Sequence, residues 1–207
     1  MKPILVLLTI ITATTVQAQF KVGVKAGAGH VNQRLSSGPE SSLFAGARTT
    51  GYHAGFIGDL NLGGNFYLQP QLLWSQRGAK VYRATEQGEA NIKFHYVEVP
   101  VQVVYKWPVG IGSVLAGAGG SFSYAVAGNQ QLNGQKTNLF SGTRNWKRED
   151  VNLVFTTGFE FNNGLFVSLT SQKGLLNVHR AEGVSAKNKS TSVSIGYLID
   201  WNKFKRH

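Results

Sequence analysis

Tyr96-Val97-Glu98-Val99-Pro100-Val101-Gln102-Val103-Val104-Tyr105-Lys106-Trp107 decides the fold. Val97, Val99, Val101, Val103, Tyr105 and Trp107 fall on one face of a period-two strand, and Glu98, Pro100, Gln102, Val104 and Lys106 fall on the other. A soluble sandwich buries the apolar face and wets the polar one. A transmembrane barrel reverses this, with apolar residues on lipid and polar residues in the lumen. One strand does not choose between them, so the choice rests on the rest of the chain.

Seven more segments alternate. Phe20, Val22, Val24, Ala26 and Ala28 oppose Lys21, Gly23, Lys25, Gly27 and Gly29. Tyr52, Ala54, Phe56 and Leu60 oppose His53, Gly55, Ile57 and Asp59. Phe66, Leu68, Pro70, Leu72 and Trp74 oppose Tyr67, Gln69, Gln71, Leu73, Ser75 and Arg77. Val114, Ala116, Ala118, Phe122, Tyr124 and Val126 oppose Ser113, Gly117, Gly119, Ser121 and Ser123. Val151, Leu153, Phe155, Phe159 and Phe161 oppose Asn152, Thr156, Gly158 and Glu160. Leu165, Val167 and Leu169 oppose Ser168, Thr170 and Gln172, and Val193, Ile195, Tyr197, Ile199 and Trp201 oppose Ser192, Ser194, Gly196 and Asp200. Each segment reaches the roughly 9–11 residues that a tilted spanning strand requires.

The connections sort by length. Short turns are expected at Asn61 to Gly64, at Pro108 to Ile111 and at Asn162-Asn163-Gly164, the last as a type I′ hairpin turn. Long polar loops are expected at 31–49, 78–91, 128–149 and 178–190. Strict alternation of long and short is the outer-membrane pattern, with long loops extracellular, short turns periplasmic and both termini periplasmic. Aromatic residues fall into two groups. Phe20, Phe66, Trp107, Phe161 and Trp201 mark the turn ends of strands; Tyr52, Trp74, Phe94, Tyr96 and Tyr124 mark the loop ends, as interfacial belts do. The expected fold is therefore all-β: an eight-stranded antiparallel up-and-down transmembrane β-barrel. Pro70 and Pro100 lie inside strands, and a bulge is expected at each.

The chain of 207 residues opens with Lys2, an apolar run from Ile4 to Ile11, and Val16-Gln17-Ala18. That run is too short to span a bilayer and has the layout of an export signal. Residues 1–18 are read as a cleaved signal peptide, cut between Ala18 and Gln19, and residues 19–207 as one barrel domain. Hydrophobic residues make up 42% of the chain and no cysteine is present, so neither a disulfide framework nor a thiolate metal site is available. The mean hydropathy of −0.12 is what cancelling lipid and lumen faces produce. The net charge of +11 is scattered over loops and tail, without a basic helix or zinc spacing, which argues against nucleic acid as a partner.

The chain resembles the PorT-like outer-membrane β-barrel proteins of Bacteroidetes-type bacteria. The residues that carry this are Gln17 to Phe20 with Val22 to Gly27, Gly51 to Phe56, Phe66 to Lys80, Tyr96 to Pro100, Tyr105-Lys106 and Ala116 to Gly120. The chain departs from the family at Gly117-Ala118-Gly119-Gly120 and in its Lys205-Arg206-His207 end, which places an assembly signal at Trp201 or Phe204. The resemblance implies a β-barrel fold and an outer-membrane location and carries no activity with it. The first functional expectation, taken from the whole reading, is a non-enzymatic barrel acting as envelope scaffold, surface receptor or partner of secretion or envelope machinery.

Site chemistry follows from the two strand phases. Lys25, Asp59, Gln69, Gln71, Glu98, Gln102, Lys106, Asn152 and Glu160 would form a polar lumen cluster of structural character, because an eight-stranded interior is filled by side chains. Arg144, Lys147 and Arg148 would form a basic extracellular loop around Trp146, suited to phosphate oxygens of lipopolysaccharide. The lipid bilayer, lipopolysaccharide, the barrel-assembly machinery and other envelope proteins are the expected partners. No catalytic, cofactor or metal residues are assigned. His30 and His95 lie in the outward phase without a serine two residues on. A lipid-modifying enzyme using a cross-strand serine, and a small pore, are the alternatives.

Overall fold

The computed structural model describes residues 20–37, 46–47, 49–83, 88–132, 135–138, 148–176 and 184–200. A strand satisfies none of its own backbone groups, so alternating segments gain by pairing with both neighbours. Ten strands form: β1 (Phe20–Ser37), β2 (Gly46–Ala47), β3 (Thr49–Gly63), β4 (Phe66–Arg83), β5 (Gly88–Val109), β6 (Gly112–Leu132), β7 (Gln135–Asn138), β8 (Glu149–Phe161), β9 (Leu165–Gly174) and β10 (Val184–Asp200). Eight of these pair antiparallel with their neighbours, and β1 pairs with β10 from Lys21↔Asp200 to Ser37↔Val184, closing the barrel. The short strands β2 and β7 are appended to β4 and β6.

The faces are inverted relative to a soluble core. On β5, Val97, Val99, Val101 and Val103 are 37–46% exposed, whereas Glu98 and Gln102 are 2% exposed. Phe56, Leu72, Phe122, Phe155, Leu169 and Ile195 extend the exposed apolar face around the wall. From Val97 to Trp107 the strand rises about 34 Å, which at a tilt near 45° gives an apolar band about 25 Å tall. That matches the hydrocarbon thickness which such barrels cross.

The turns are tight at one end. Gly110, at φ +53°, opens the two-residue link between Val109 and Gly112. The Asn162-Asn163-Gly164 link is not the two-residue type I′ turn expected. It has three residues, with the Gly164 N–H donating to the Phe161 carbonyl at 2.9 Å and Gly164 taking φ +93° behind the turn.

The opposite end departs further from expectation. Most of the stretch read as a loop at 78–91 is strand, since Gly78 to Arg83 pair with Gly88 to Lys93. Val31–Ser37 likewise pair with Val184–Ser190, and Asn129–Leu132 with Gln135–Asn138. Hydropathy alternation stops at the lipid boundary, but the backbone ladder does not depend on it and runs on into water.

Pro70 and Pro100 sit in strands without the expected bulges. The β3–β4 pairing skips Gly58-Asp59 against Gln69-Pro70 and resumes in the same register. The β4–β5 pairing does the same at Gln71-Leu72 against Val99-Pro100. Each proline interrupts the ladder to one neighbour while the other neighbour holds the strand, as Pro70↔Val101 and Pro100↔Ser121 show. The register shifts in these strands lie elsewhere, at Asn61/Gly63 and at His95/Tyr96.

Candidate functional site: the polar lumen and the loop-end rim

Inward positions of eight strands converge on a narrow axis, so charged side chains there must find partners or pay desolvation. Near the turn end they form one network. Lys106 Nζ on β5 donates to Asp59 Oδ2 on β3 at 2.7 Å and to Glu160 Oε2 on β8. Glu160 Oε1 also accepts from Lys21 Nζ at 2.9 Å, Gln69 Nε2 donates to Asp59 Oδ1 at 2.8 Å, and Lys106 lies 4.2 Å from the Tyr67 ring centroid. Asp59 is wholly buried.

A second network lies toward the loop end. Arg77 Nη2 donates to Glu98 Oε1 at 2.6 Å and to Gln172 Oε1 at 2.7 Å, and the Ser75 hydroxyl donates to the same Glu98 oxygen. The Arg77 guanidinium lies 5.3 Å from the Tyr96 ring centroid. Between the layers, Lys25 Nζ donates to Gln71 Oε1 at 3.2 Å, and the Thr156 hydroxyl donates to Gln102 Oε1 at 2.7 Å. Ile57, Phe166 and Leu198 form an apolar cluster in the same interior.

The nine polar residues assigned to the lumen, Lys25, Asp59, Gln69, Gln71, Glu98, Gln102, Lys106, Asn152 and Glu160, all have buried side chains. Arg77, Lys21, Ser75 and Asp150 belong to the interior as well, and their local sequence does not mark them as partners. Leu115, Val154, Phe166 and Leu198 fill inward positions that the polar phase left unassigned. Phe94 and Tyr96 depart from the expected outer belt. Both are 6% exposed and point inward, because even-numbered positions of β5 face the lumen. Tyr52, Trp74 and Tyr124 remain exposed on the outer wall, as do Phe66 and Trp107 at the turn end.

Of the basic loop, Arg144 and Lys147, with Trp146, lie outside the described residues, as do Ala18, Gln19, Trp201 and Phe204. Arg148 is half-buried, and its Nη1 donates to the Ala125 carbonyl at 3.2 Å.

The outward histidines stand without a serine opposite. His30 pairs in register with Thr50 and Thr191, and His95 with Gln76 and Ala127 while stacking on Trp74 at 5.2 Å. A serine–histidine contact does occur inside the lumen, where His53 Nε2 lies 2.9 Å from Ser194 Oγ. Ser194 is 1% exposed there, which denies it the access that a nucleophile needs.

Solved structures of outer membrane proteins resemble this barrel in fold. OprG of Pseudomonas aeruginosa is similar in structure, with a TM-score of 0.53 and 12% identity over 88% of this chain and 97% of that one. Neisserial surface protein A aligns over 86% of this chain and 96% of its own, at 12% identity and a TM-score of 0.48. The outer membrane enzyme PagL aligns over 84% and 98%, at 14% identity and a TM-score of 0.47. At such identity these likenesses concern the fold alone. No curated protein matches the chain. The model of the outer membrane protein beta-barrel domain family matches residues 14–180, most of the sequence. The chain belongs to that family, and the outer membrane is where a barrel of this kind resides.

Proposed function

We propose that this barrel is a non-enzymatic surface protein of the outer membrane whose lumen is a structural plug and whose loop-end rim is the working surface. The observation that carries the reading is the Asp59–Lys106–Glu160 cluster, with each side chain at most 6% exposed, drawn across the barrel from three strands. Such a layer fills the lumen near the turn end, so in this reading binding falls to the rim that the extended β4, β5 and β6 raise above the apolar band. In this reading residues 1–18 are removed in export, the turns face the periplasm and the long connections face outward. Lipopolysaccharide phosphates meet Arg144, Lys147 and Arg148. Within the family the chain is of the PorT-like kind, scaffolding or receiving other envelope proteins after delivery by the barrel-assembly machinery.

The test pairs two measurements. Purified monomer in planar bilayers gives no steady conductance, and lipid A from cells with and without the protein has the same mass profile. Stable ion current would establish the pore reading instead. A lipid A mass shift abolished by His30→Ala, His95→Ala or His53→Ala would establish a lipid-modifying enzyme.

A further inference from the structure

The plug is unevenly satisfied. A cavity of about 40 Å³ lies beside the loop-end network, lined by Lys25, His53, Arg77 and Glu98 and by Gly29 and Gly51. Gly29 and Gly51 face each other in register across β1 and β3, so neither position sends a side chain into the cavity.

Two donors around it are under-used. Arg77 Nη1 is buried and has no hydrogen-bond partner, while Arg77 Nη2 is already engaged by Glu98 and Gln172. Lys25 is 6% exposed, and its ammonium, with three donors, has Gln71 Oε1 as its partner and no carboxylate within ion-pair distance among the described residues. The single carboxylate lining the cavity, Glu98, is shared by Arg77 and Ser75. Asp150, buried on β8, is not among the lining residues. Two cationic side chains thus share the lining of a partly open cavity with one carboxylate, and Asp150 is the further carboxylate whose charge reaches Arg77. Burying an orphan guanidinium N–H costs the full desolvation of that group, and an acceptor of negative charge relieves both cations at once.

We propose that this cavity is a binding site for one small monovalent anion, of halide or carboxylate type, held by Arg77 Nη1 and Lys25 Nζ. Size limits the class. A water needs roughly 10–15 Å³ of such space, so about 40 Å³ admits an anion of a few heavy atoms and excludes a phosphorylated sugar or a lipid headgroup. The neighbouring cavity of about 10 Å³, which Glu160 lines, is too small and carries the wrong charge to compete.

The experiment uses the refolded full barrel in detergent. Thermal unfolding is followed in sodium bromide, sodium formate and sodium gluconate at equal ionic strength, the last being too large for the site. Bromide or formate raises the midpoint saturably, by about 3–6 °C at tenfold excess over Kd. The rise persists in Lys25→Arg and disappears in Lys25→Met, which keeps the packing and removes the charge. Crystals grown in bromide give an anomalous peak in contact with Arg77 Nη1. A response to one salt alone assigns the site to that anion type. No peak at Arg77, or a rise that survives Lys25→Met, would overturn the proposal and leave the cavity to water. Conductance and lipid A measurements test the proposed function and not the occupancy of this cavity, so either reading can fail without the other.

Discussion

Lys106 answers two carboxylates at once, and that makes it the residue on which the turn-end layer depends. Lys106→Met leaves Asp59 buried with only Gln69 as partner, while Glu160 keeps Lys21. Removing one member of a buried pair costs about 3–5 kcal/mol, and that loss is expected in reversible denaturant unfolding from lipid vesicles. Adding Asp59→Asn to the same chain should recover part of it, because the orphaned charge goes too. Lys21→Met is the control. Lys21 is 30% exposed at the rim, where solvent screens the pair, so a change of about 1 kcal/mol or less is expected. If the two lysines cost the same, the buried layer has no special weight. None of this pairing was legible in the sequence. Lys106 and Glu160 are separated by 54 residues, and their meeting depends on the stagger of strands that lie apart in the ring. What the sequence did carry was the inward phase of each residue, because the period of two assigns faces strand by strand.

Glycines on the two faces of the wall differ in what they permit. Gly196 on β10 faces the lumen, where an added Cβ would stand 2.3 Å from the Phe166 ring and 2.5 Å from the Val24 carbonyl. Gly120 on β6 faces the lipid, with nothing nearer than the Asn152 carbonyl at 3.9 Å. Gly196→Ala is therefore expected to destabilise by about 1–3 kcal/mol through overpacking, and Gly120→Ala to shift stability by less than about 1 kcal/mol, toward greater stability. Unfolding midpoints of the two variants check this, and a neutral Gly196→Ala would mean that β9 and β10 are not packed as described. A matching contrast holds on β5. Val101→Lys places an ammonium in hydrocarbon at about 2–4 kcal/mol near the midplane, while Val101→Leu stays within about 1 kcal/mol. The same strand shows where reading a sequence stops short. Alternation fixed the faces from Val97 to Trp107, and it equally implied that Phe94 and Tyr96 face inward. Their aromatic character suggested a belt, and backbone phase prevailed over side-chain preference. Ladder length was hidden for a related reason. The period-two signal ends where the lipid ends, so β4, β5 and β6 continue with no hydropathy signal to announce them.

At the scale of the molecule the two ends are unlike. At the turn end the barrel stops with its apolar band: Trp107 is followed within two residues by the Val109–Gly112 turn, and Phe161 directly precedes Asn162-Asn163-Gly164. At the loop end the 22-residue β5 and its partners run far past the band, whereas β9 has ten residues. The wall is therefore high on the β4–β5–β6–β7 side and low at β8 and β9. In the proposed orientation the short turns are the ends drawn through the bilayer during assembly, and the tall sheet stands on the outer side of the membrane. That asymmetry yields a prediction about orientation. An epitope inserted in the sequence between the paired residues Arg83 and Gly88 should be labelled on intact cells by an impermeant antibody. The same epitope between Gly110 and Ile111 should be labelled only after the outer membrane is permeabilised. Unfolding midpoints of both insertions confirm that each barrel is assembled. Labelling of the Gly110 insertion on intact cells would reverse the orientation. The tall sheet would then stand in the periplasm, and the partner to look for would be a periplasmic protein rather than a ligand outside the cell.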